Sequence, residues 1–120
     1  MKRRVVVTGL GCVTPLACEV DLLWQSILDG KSGIHPLTVI DTTRHKVRFG
    51  GDVVNFEPGK TVEPKDIKRL DRFTLFAMFA GFHAVQDCGV DFNKEDPFRC
   101  GAILGSGIGG LNEIEEQMFK

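Results

Sequence analysis

Four cationic side chains lie close together in the sequence and could bind an acidic molecule. Lys65, Lys68, Arg69 and Arg72 are spaced i, i+3, i+4 and i+7, so a continuous helix would place them on one face. Such a face is more often simply solvated than used for binding. The pattern leaves two interpretations open: a solvated surface, or a docking site for a partner rich in carboxylate or phosphate groups.

A glycine-rich loop is the second feature with possible chemistry. Residues 105–110 read Gly-Ser-Gly-Ile-Gly-Gly, between an apolar run at 100–104 and an amphipathic stretch at 111–120. Glycine is required where φ is positive or where another group approaches the backbone closely, so we expect this loop to face something other than its own side chains. The letters also satisfy the G-x-G-x-x-G pattern of dinucleotide sites, but the acidic ribose ligand expected about 20 residues later would lie beyond Lys120. Dinucleotide binding is therefore a remote alternative.

Nucleophilic and metal-binding side chains show no catalytic arrangement in the sequence. The cysteines form no CxxC pair, the histidines have no metal-ligand spacing, and no G-x-S-x-G turn is present. We interpret the cysteines as reduced thiols of an intracellular protein. We predict no metal site and no catalytic residue in this stretch. The side chains concerned are Cys12, Cys18, Cys88, Cys100, His35, His45 and His83.

Composition predicts an ordinary globular chain. It has 120 residues, 42% of them hydrophobic, and a net charge of −1, which allows one domain and gives no overall attraction to nucleic acid or membrane. The basic start and the apolar run after it imitate a signal peptide, but Gly9, Gly11 and Pro15 interrupt the run. We therefore expect a cytoplasmic protein without a membrane span.

The elements that must position these groups alternate between strand and helix. We predict a buried strand at 5–8, a helix at 19–29, a long excursion with small strands at 31–63, a short helix at 65–71 and a longer one at 72–88. A strand at 100–104 and a helix from 111 to 120 follow. This order predicts an α/β fold with a parallel or mixed sheet.

The helix at 72–88 is apolar on almost every side, with Asp71 and Gly89 in position to cap its two ends. A helix of this kind belongs in the middle of a large core. A chain of 120 residues can hardly cover it, and the last helix has no residue to end it. We therefore expect the sequence to be part of a longer protein.

Five segments together resemble the amino-terminal part of the β-ketoacyl-acyl carrier protein synthases, and most of all the type II synthase of bacterial fatty acid synthesis. They are RRVVVTGLGCVTPL at 3–16, GKSGI at 30–34, IDT at 40–42, LDRF at 70–73 and GAILGSGIGGLNEIEE at 101–116. The resemblance runs from Lys2 to the end of the chain and is weakest at 43–63.

The resemblance implies a thiolase-like α/β fold, in which residues 1–120 form the first part of the amino-terminal βαβαβ half with a family-specific insertion. It also implies a homodimer without a cofactor. The reaction implied is transfer of an acyl group from acyl carrier protein to a cysteine, followed by decarboxylative condensation with malonyl-acyl carrier protein. The nucleophilic cysteine and two histidines of the family would all follow Lys120, so this stretch alone is expected to be inactive.

Two assignments carry over from the family to this sequence. Ile108 falls where type II synthases place a side chain that borders the acyl pocket and shifts to admit the growing chain. Lys65, Lys68 and Arg69 fall where the family presents positive charge to acyl carrier protein, which favours the docking interpretation. Pro64 replaces a basic residue often found there, which would weaken docking.

Two alternatives within and outside the family stay open. A polyketide-type ketosynthase or a non-catalytic chain-length factor would keep the fold and the same motifs. A nucleotide-binding α/β module would use the glycine loop instead, and we expect no nucleotide to bind.

Overall fold

The computed structural model describes residues 2–119, apart from the side chain of Lys60. The helices are α1 (Val20–Leu28), α2 (Pro64–Ile67), α3 (Arg72–Cys88) and α4 (Leu111–Met118). Two short strands, β1 (His35–Pro36) and β2 (Phe49–Gly50), lie between α1 and α2, and 3₁₀ turns lie at Gly59–Thr61, Phe92–Lys94 and Pro97–Arg99. In this part of the chain no helix is long and apolar enough to cross a membrane.

Helix α3 is the longest element and has the bounds that the sequence predicts. It has 17 residues, begins after Asp71 and ends at Gly89, whose φ of 64° is the left-handed conformation that glycine adopts at helix C-termini. Its burial differs from the prediction, because Leu75 is its one buried residue while Met78 and Val85 are 42% and 48% exposed. The expectation of a helix buried on all sides is wrong for this structure, since the described residues cover only part of its surface.

The amino-terminal segment packs against α3 through its glycines. A Cβ atom added to Gly9 would lie 2.6 Å from the backbone nitrogen of Cys88, and one added to Gly11 would lie 2.8 Å from the nitrogen of Ala84. Both distances are shorter than any normal contact, so only glycine permits this approach. The backbone N–H of Leu10, between the two glycines, donates a hydrogen bond of 2.9 Å to Asp87.

The predicted strands at 5–8 and 100–104 are not formed in the described part of the chain. Val5 is 92% exposed and Ile103 is fully exposed, and neither segment is paired in a sheet. A strand must pair its backbone N–H and C=O groups with a neighbouring strand, and neither segment has one here. The predictions of a buried strand at 5–8, of a strand at 100–104 and of a parallel or mixed sheet are therefore not met by this structure.

The sheet that is formed lies within the predicted excursion. Strands β1 and β2 are antiparallel, with His35 opposite Gly50 and Pro36 opposite Phe49, which confirms the small strands expected at 31–63. The excursion also packs on α3, because the Phe56 ring lies edge-on to Phe76 and Phe79, with centroids 4.8 and 5.4 Å away.

Candidate functional site

The predicted cations Lys65, Lys68 and Arg69 lie on one exposed turn, which we call the cationic turn. Lys65 is in α2, Lys68 is the C-terminal cap of that helix, and the backbone N–H of Arg69 donates to the carbonyl of Asp66 at 3.0 Å. All three residues are exposed. Pro64 occupies the first turn of α2, where its missing N–H costs nothing.

The single helical face predicted for all four cations is wrong. Helix α2 ends at Ile67, and the backbone at Asp71, with ψ of 151°, is outside the helical region before α3 begins. The fourth cation, Arg72, points to a different partner: its guanidinium donates to the carbonyl of Val53 and lies 5.0 Å from the centroid of the Phe76 ring. Arg72 therefore ties the excursion to α3, and its guanidinium already has partners within the chain.

The ion pair formed by Lys65 leaves the cationic turn largely available to bind an acidic partner. The ammonium of Lys65 lies 2.6 Å from a carboxylate oxygen of Glu63, and the two side chains are 70% and 69% exposed. An ion pair this exposed is worth at most about 1 kcal/mol, so an acidic partner could displace it. The cationic turn can thus present positive charge to another molecule.

Ile108 projects from the glycine loop at residues 105–110. Its side chain is 72% exposed in the structure. Next to it, Gly109 has φ of 84° and donates its N–H to the hydroxyl of Ser106 at 3.0 Å. Ile108 therefore sits on a tight turn whose conformation depends on a glycine.

The same loop rests on the start of α3. A Cβ atom added to Gly109 would lie 3.6 Å from the Phe73 ring, and one added to Gly110 would overlap the carboxyl group of Asp71. Asp71 and Phe73 also line a cleft of about 430 Å³ together with Ile114 and Met118 of α4. The close approach expected of this loop is confirmed at Gly110, whereas Gly105 and Gly107 face open space.

Sequence reasoning missed Asp71 and Phe73 as partners of the loop. The sequence predicts Asp71 only as a cap of α3, yet its side chain makes no capping hydrogen bond there. The sequence offered one signal, a glycine at the start of α4. Its φ of −85° is ordinary, so backbone conformation does not explain why a glycine stands there.

The position of Asp71 also bears on the dinucleotide alternative. Gly110 is the N-terminal cap of α4, and a helix start attracts the phosphate of a dinucleotide through its free N–H groups and dipole. A carboxylate already lies against this helix start, so a phosphate would meet like charge. The glycine loop is a poor dinucleotide site in this structure.

Cys12 shows no sign of nucleophilic activation. Cys12 and Cys18 line a cleft of about 340 Å³ with His83 and Asp87. Burial raises the pKa of the Cys12 thiol, and the neighbouring Cys18 raises it further, so Cys12 is a protonated thiol near neutral pH. Among residues 2–119, no three His, Cys, Asp or Glu side chains are grouped so that they could hold a metal ion.

The family model described as "Beta-ketoacyl synthase, N-terminal domain" matches residues 2–120. The chain is 40% identical over 116 residues to 3-oxoacyl-[acyl-carrier-protein] synthase 2 of Synechocystis sp., covering 97% of this chain and 28% of that protein. It is 41% identical over 115 residues to the protein of the same name from Coxiella burnetii, covering 96% of this chain and 28% of the relative.

A solved structure is also similar. It is described as the ishigamide ketosynthase/chain length factor, with a TM-score of 0.70 and 29% sequence identity over 78% of this chain and 23% of that one. The chain therefore spans little more than a quarter of the length of the curated relatives it matches.

Proposed function

The chain belongs to the β-ketoacyl synthase family, as part of its N-terminal domain, and from this premise we propose that the protein carrying it is a condensing enzyme of fatty acid biosynthesis. The single observation that carries the proposal is the identity of about 40% over nearly the whole chain with relatives named 3-oxoacyl-[acyl-carrier-protein] synthase 2. The enzyme would accept an acyl group from acyl carrier protein on a cysteine. It would then condense that group with malonyl-acyl carrier protein, releasing carbon dioxide and lengthening the chain by two carbons.

This stretch would contribute recognition rather than bond making. The catalytic cysteine and histidines are not assigned to any residue here, and the raised pKa of Cys12 argues against that one residue as the nucleophile. The fold proposed for residues 1–120 is the first part of the amino-terminal βαβαβ half of a thiolase-like homodimer. The segments at 5–8 and 100–104 would become strands there, once paired with strands that the described residues do not provide.

The cationic turn is the proposed docking site for acyl carrier protein. Its three side chains are exposed, and Lys65 has only a weakly held partner in Glu63. Positive charge of this kind accelerates and orients association with an acidic partner. Arg72 is not part of the proposed docking site, because its guanidinium already binds Val53.

Ile108 is the proposed gate of the acyl pocket. It is a large apolar side chain on a turn whose conformation depends on Gly109, and it belongs to the loop whose last residue, Gly110, lines a mostly apolar cleft between α3 and α4. A side chain in such a position can move with little rearrangement of the backbone around it. Its bulk would then set how long an acyl chain the pocket admits.

A second candidate within the family is a polyketide-type ketosynthase or a chain-length factor without condensing activity. One observation favours it: the similar solved structure is described as a ketosynthase/chain length factor. The higher identity to the fatty acid synthases keeps it second.

The test is a condensation assay of the complete protein with acyl- and malonyl-acyl carrier protein. A condensing enzyme releases carbon dioxide and forms the β-ketoacyl product two carbons longer. If neither product appears, while the protein still binds acyl carrier protein, the chain-length-factor alternative replaces the proposal. Titration with a nicotinamide or adenine dinucleotide tests the remaining module hypothesis, and no binding is expected.

A further inference from the structure

The contact between Asp71 and Gly110 joins two parts of the protein that are far apart in sequence. Asp71 lies two residues after Arg69 of the cationic turn and immediately precedes α3, and Gly110 closes the glycine loop and precedes α4. A methyl group on Gly110 would overlap three atoms of Asp71, namely Cγ, Oδ1 and Oδ2. The loop is therefore seated against a carboxylate with no space left between them.

Backbone conformation does not explain the glycine at position 110. Its φ of −85° and ψ of 82° lie in a region that alanine also adopts, close to an inverse γ-turn. Only the neighbouring carboxyl group excludes a side chain. The glycine is thus required by a tertiary contact.

Phe73 is a second neighbour of the glycine loop. The Phe73 ring lies 3.6 to 3.7 Å from the position that a Cβ of Gly109 would occupy. That is ordinary van der Waals spacing, and Gly109 directly follows Ile108. Asp71 and Phe73 therefore lie next to Gly110 and Gly109, the two residues that connect Ile108 to α4.

The charge of Asp71 suits this position. Its carboxylate makes no capping hydrogen bond to α3 and lies at the N-terminal end of α4, where the helix dipole favours negative charge. Steric fit and electrostatics therefore act in the same direction.

We propose that Asp71 and Phe73 are positioning residues that seat the glycine loop and thereby set the position of Ile108, and with it the range of acyl chains admitted. The inference rests on the proposed gating function of Ile108. Neither residue needs to touch the acyl chain, because each acts through the backbone of the loop.

The first experiment compares four forms of the complete protein by amide hydrogen exchange at residues 105–110: wild type, Gly110→Ala, Asp71→Ala and the double variant. Gly110→Ala is expected to speed exchange in the loop on the order of tenfold, because the methyl group unseats it. Asp71→Ala alone is expected to loosen the loop, because the carboxylate that holds it is gone. It also removes all three overlapping atoms, so the double variant is expected to be better protected than Gly110→Ala. Gly81→Ala is the control, since a Cβ there meets no atom within 4 Å.

Phe73→Leu is the second variant and adds no bulk to the loop, so it remains informative if Gly110→Ala does not fold. It is expected to loosen the loop and to change the ratio of kcat/KM between long and short acyl chains by several-fold, with KM for acyl carrier protein unchanged. Phe82→Leu, the same substitution at an exposed position of α3, is the matched control.

Three results would each overturn the proposal that Asp71 and Phe73 position the glycine loop. They are unchanged exchange in Gly110→Ala, a double variant no better protected than Gly110→Ala, or a Phe73→Leu variant indistinguishable from Phe82→Leu. The proposed role of Ile108 as a gate is tested separately. If Ile108→Phe lowers activity equally for all chain lengths, the proposed gate is wrong, while the exchange data still decide whether Asp71 and Phe73 seat the loop.

Discussion

The backbone N–H of Leu10 donates a hydrogen bond of 2.9 Å to the carboxylate of Asp87, which lies 77 residues further along the chain. Gly9 and Gly11 flank this bond and rest directly on the backbone of α3. The amino-terminal segment is therefore held against the C-terminal half of α3 by one hydrogen bond, and two glycines without side chains allow the close approach. Its register along the helix is set by residue type as well as by hydrogen bonding.

Gly11→Ala should destabilise the protein. The added Cβ would collide with the carbonyl of Ala80 and lie 2.8 Å from the nitrogen of Ala84, and helix backbone cannot move aside as a flexible side chain can. We expect a loss of about 1 to 3 kcal/mol or more in the free energy of unfolding, measured by urea denaturation of the complete protein. Gly81→Ala, in the middle of α3 with open space around it, should instead be neutral or stabilising. Equal effects of the two substitutions would contradict the close packing.

Lys68→Glu should weaken binding of acyl carrier protein. Reversing one exposed charge of the cationic turn should lower the affinity on the order of 3- to 10-fold at low salt. The difference should shrink at physiological salt, because exposed charges are screened over about 8 to 10 Å. Isothermal titration across a salt series measures both effects.

Lys94→Glu is the matched control for this charge reversal. Lys94 is exposed and lies beyond the C-terminal end of α3, a helix of 17 residues that is about 25 Å long. Its substitution should leave the affinity unchanged. If both variants bind equally well at every salt concentration, the docking assignment fails.

Ile108→Phe should narrow the range of acyl chains that the enzyme accepts. The larger ring would occupy space meant for the distal part of a long chain, and overpacking of this kind costs about 1 to 3 kcal/mol. We expect kcat/KM to fall about 5- to 100-fold for long chains and far less for short ones. Ile108→Leu, which keeps the volume, should preserve the profile. A parallel shift for all chain lengths would contradict the gate.

Asp52 should make the stability of the excursion depend on pH in the acid range. Its carboxylate accepts hydrogen bonds from the backbone N–H groups of Thr38 and Val39 at 3.0 and 3.2 Å and pairs with His35. These interactions, that of Thr38 first, hold the pKa of Asp52 below its ordinary value of 3.8. Folding therefore favours the ionised form, so the stabilisation is complete above pH 3.8 and is lost as the pH falls through the lower folded pKa.

Asp52→Asn removes that titration while keeping the shape of the side chain. The variant should be less stable than wild type at pH 6, and the difference should shrink on acidification below pH 3.8 as the wild-type carboxylate becomes protonated. Urea unfolding at a series of pH values measures it. A constant difference between the two proteins from pH 6 to pH 2 would show that the charge of Asp52 contributes nothing.

Helices α1, α3 and α4 were predictable from the sequence because their hydrogen bonds are local, whereas the short helix predicted at 65–71 is wrong in its bounds, since α2 ends at Ile67. The spacing of apolar residues and the glycine at position 89 gave α3 its observed bounds, and α1 and α4 lie within the predicted ranges, with Lys120 outside the described residues. The family was equally accessible, since the motifs that carry the resemblance are contiguous in the chain, and the family model confirms it.

Tertiary structure decided what depends on a second segment of chain. Strands need a neighbouring strand to pair their backbone N–H and C=O groups. The apolar residues at 5–8 and 100–104 were therefore not sufficient to form strands here. The grouping of the cations was also decided at this level: a break at Asp71 and the carbonyl of Val53 separate Arg72 from the other three.

Local periodicity predicted helices α1, α3 and α4, and contiguous motifs predicted the family. The resemblance to that family, in turn, supplied the candidate residues Ile108, Lys65, Lys68 and Arg69. Only the tertiary structure decided why Gly110 must be a glycine, because the reason is the carboxylate of Asp71, 39 positions earlier in the chain. Local hydrogen bonding and side-chain spacing depend on residues that are close together in the sequence. Steric exclusion between distant segments exists only once the chain has folded.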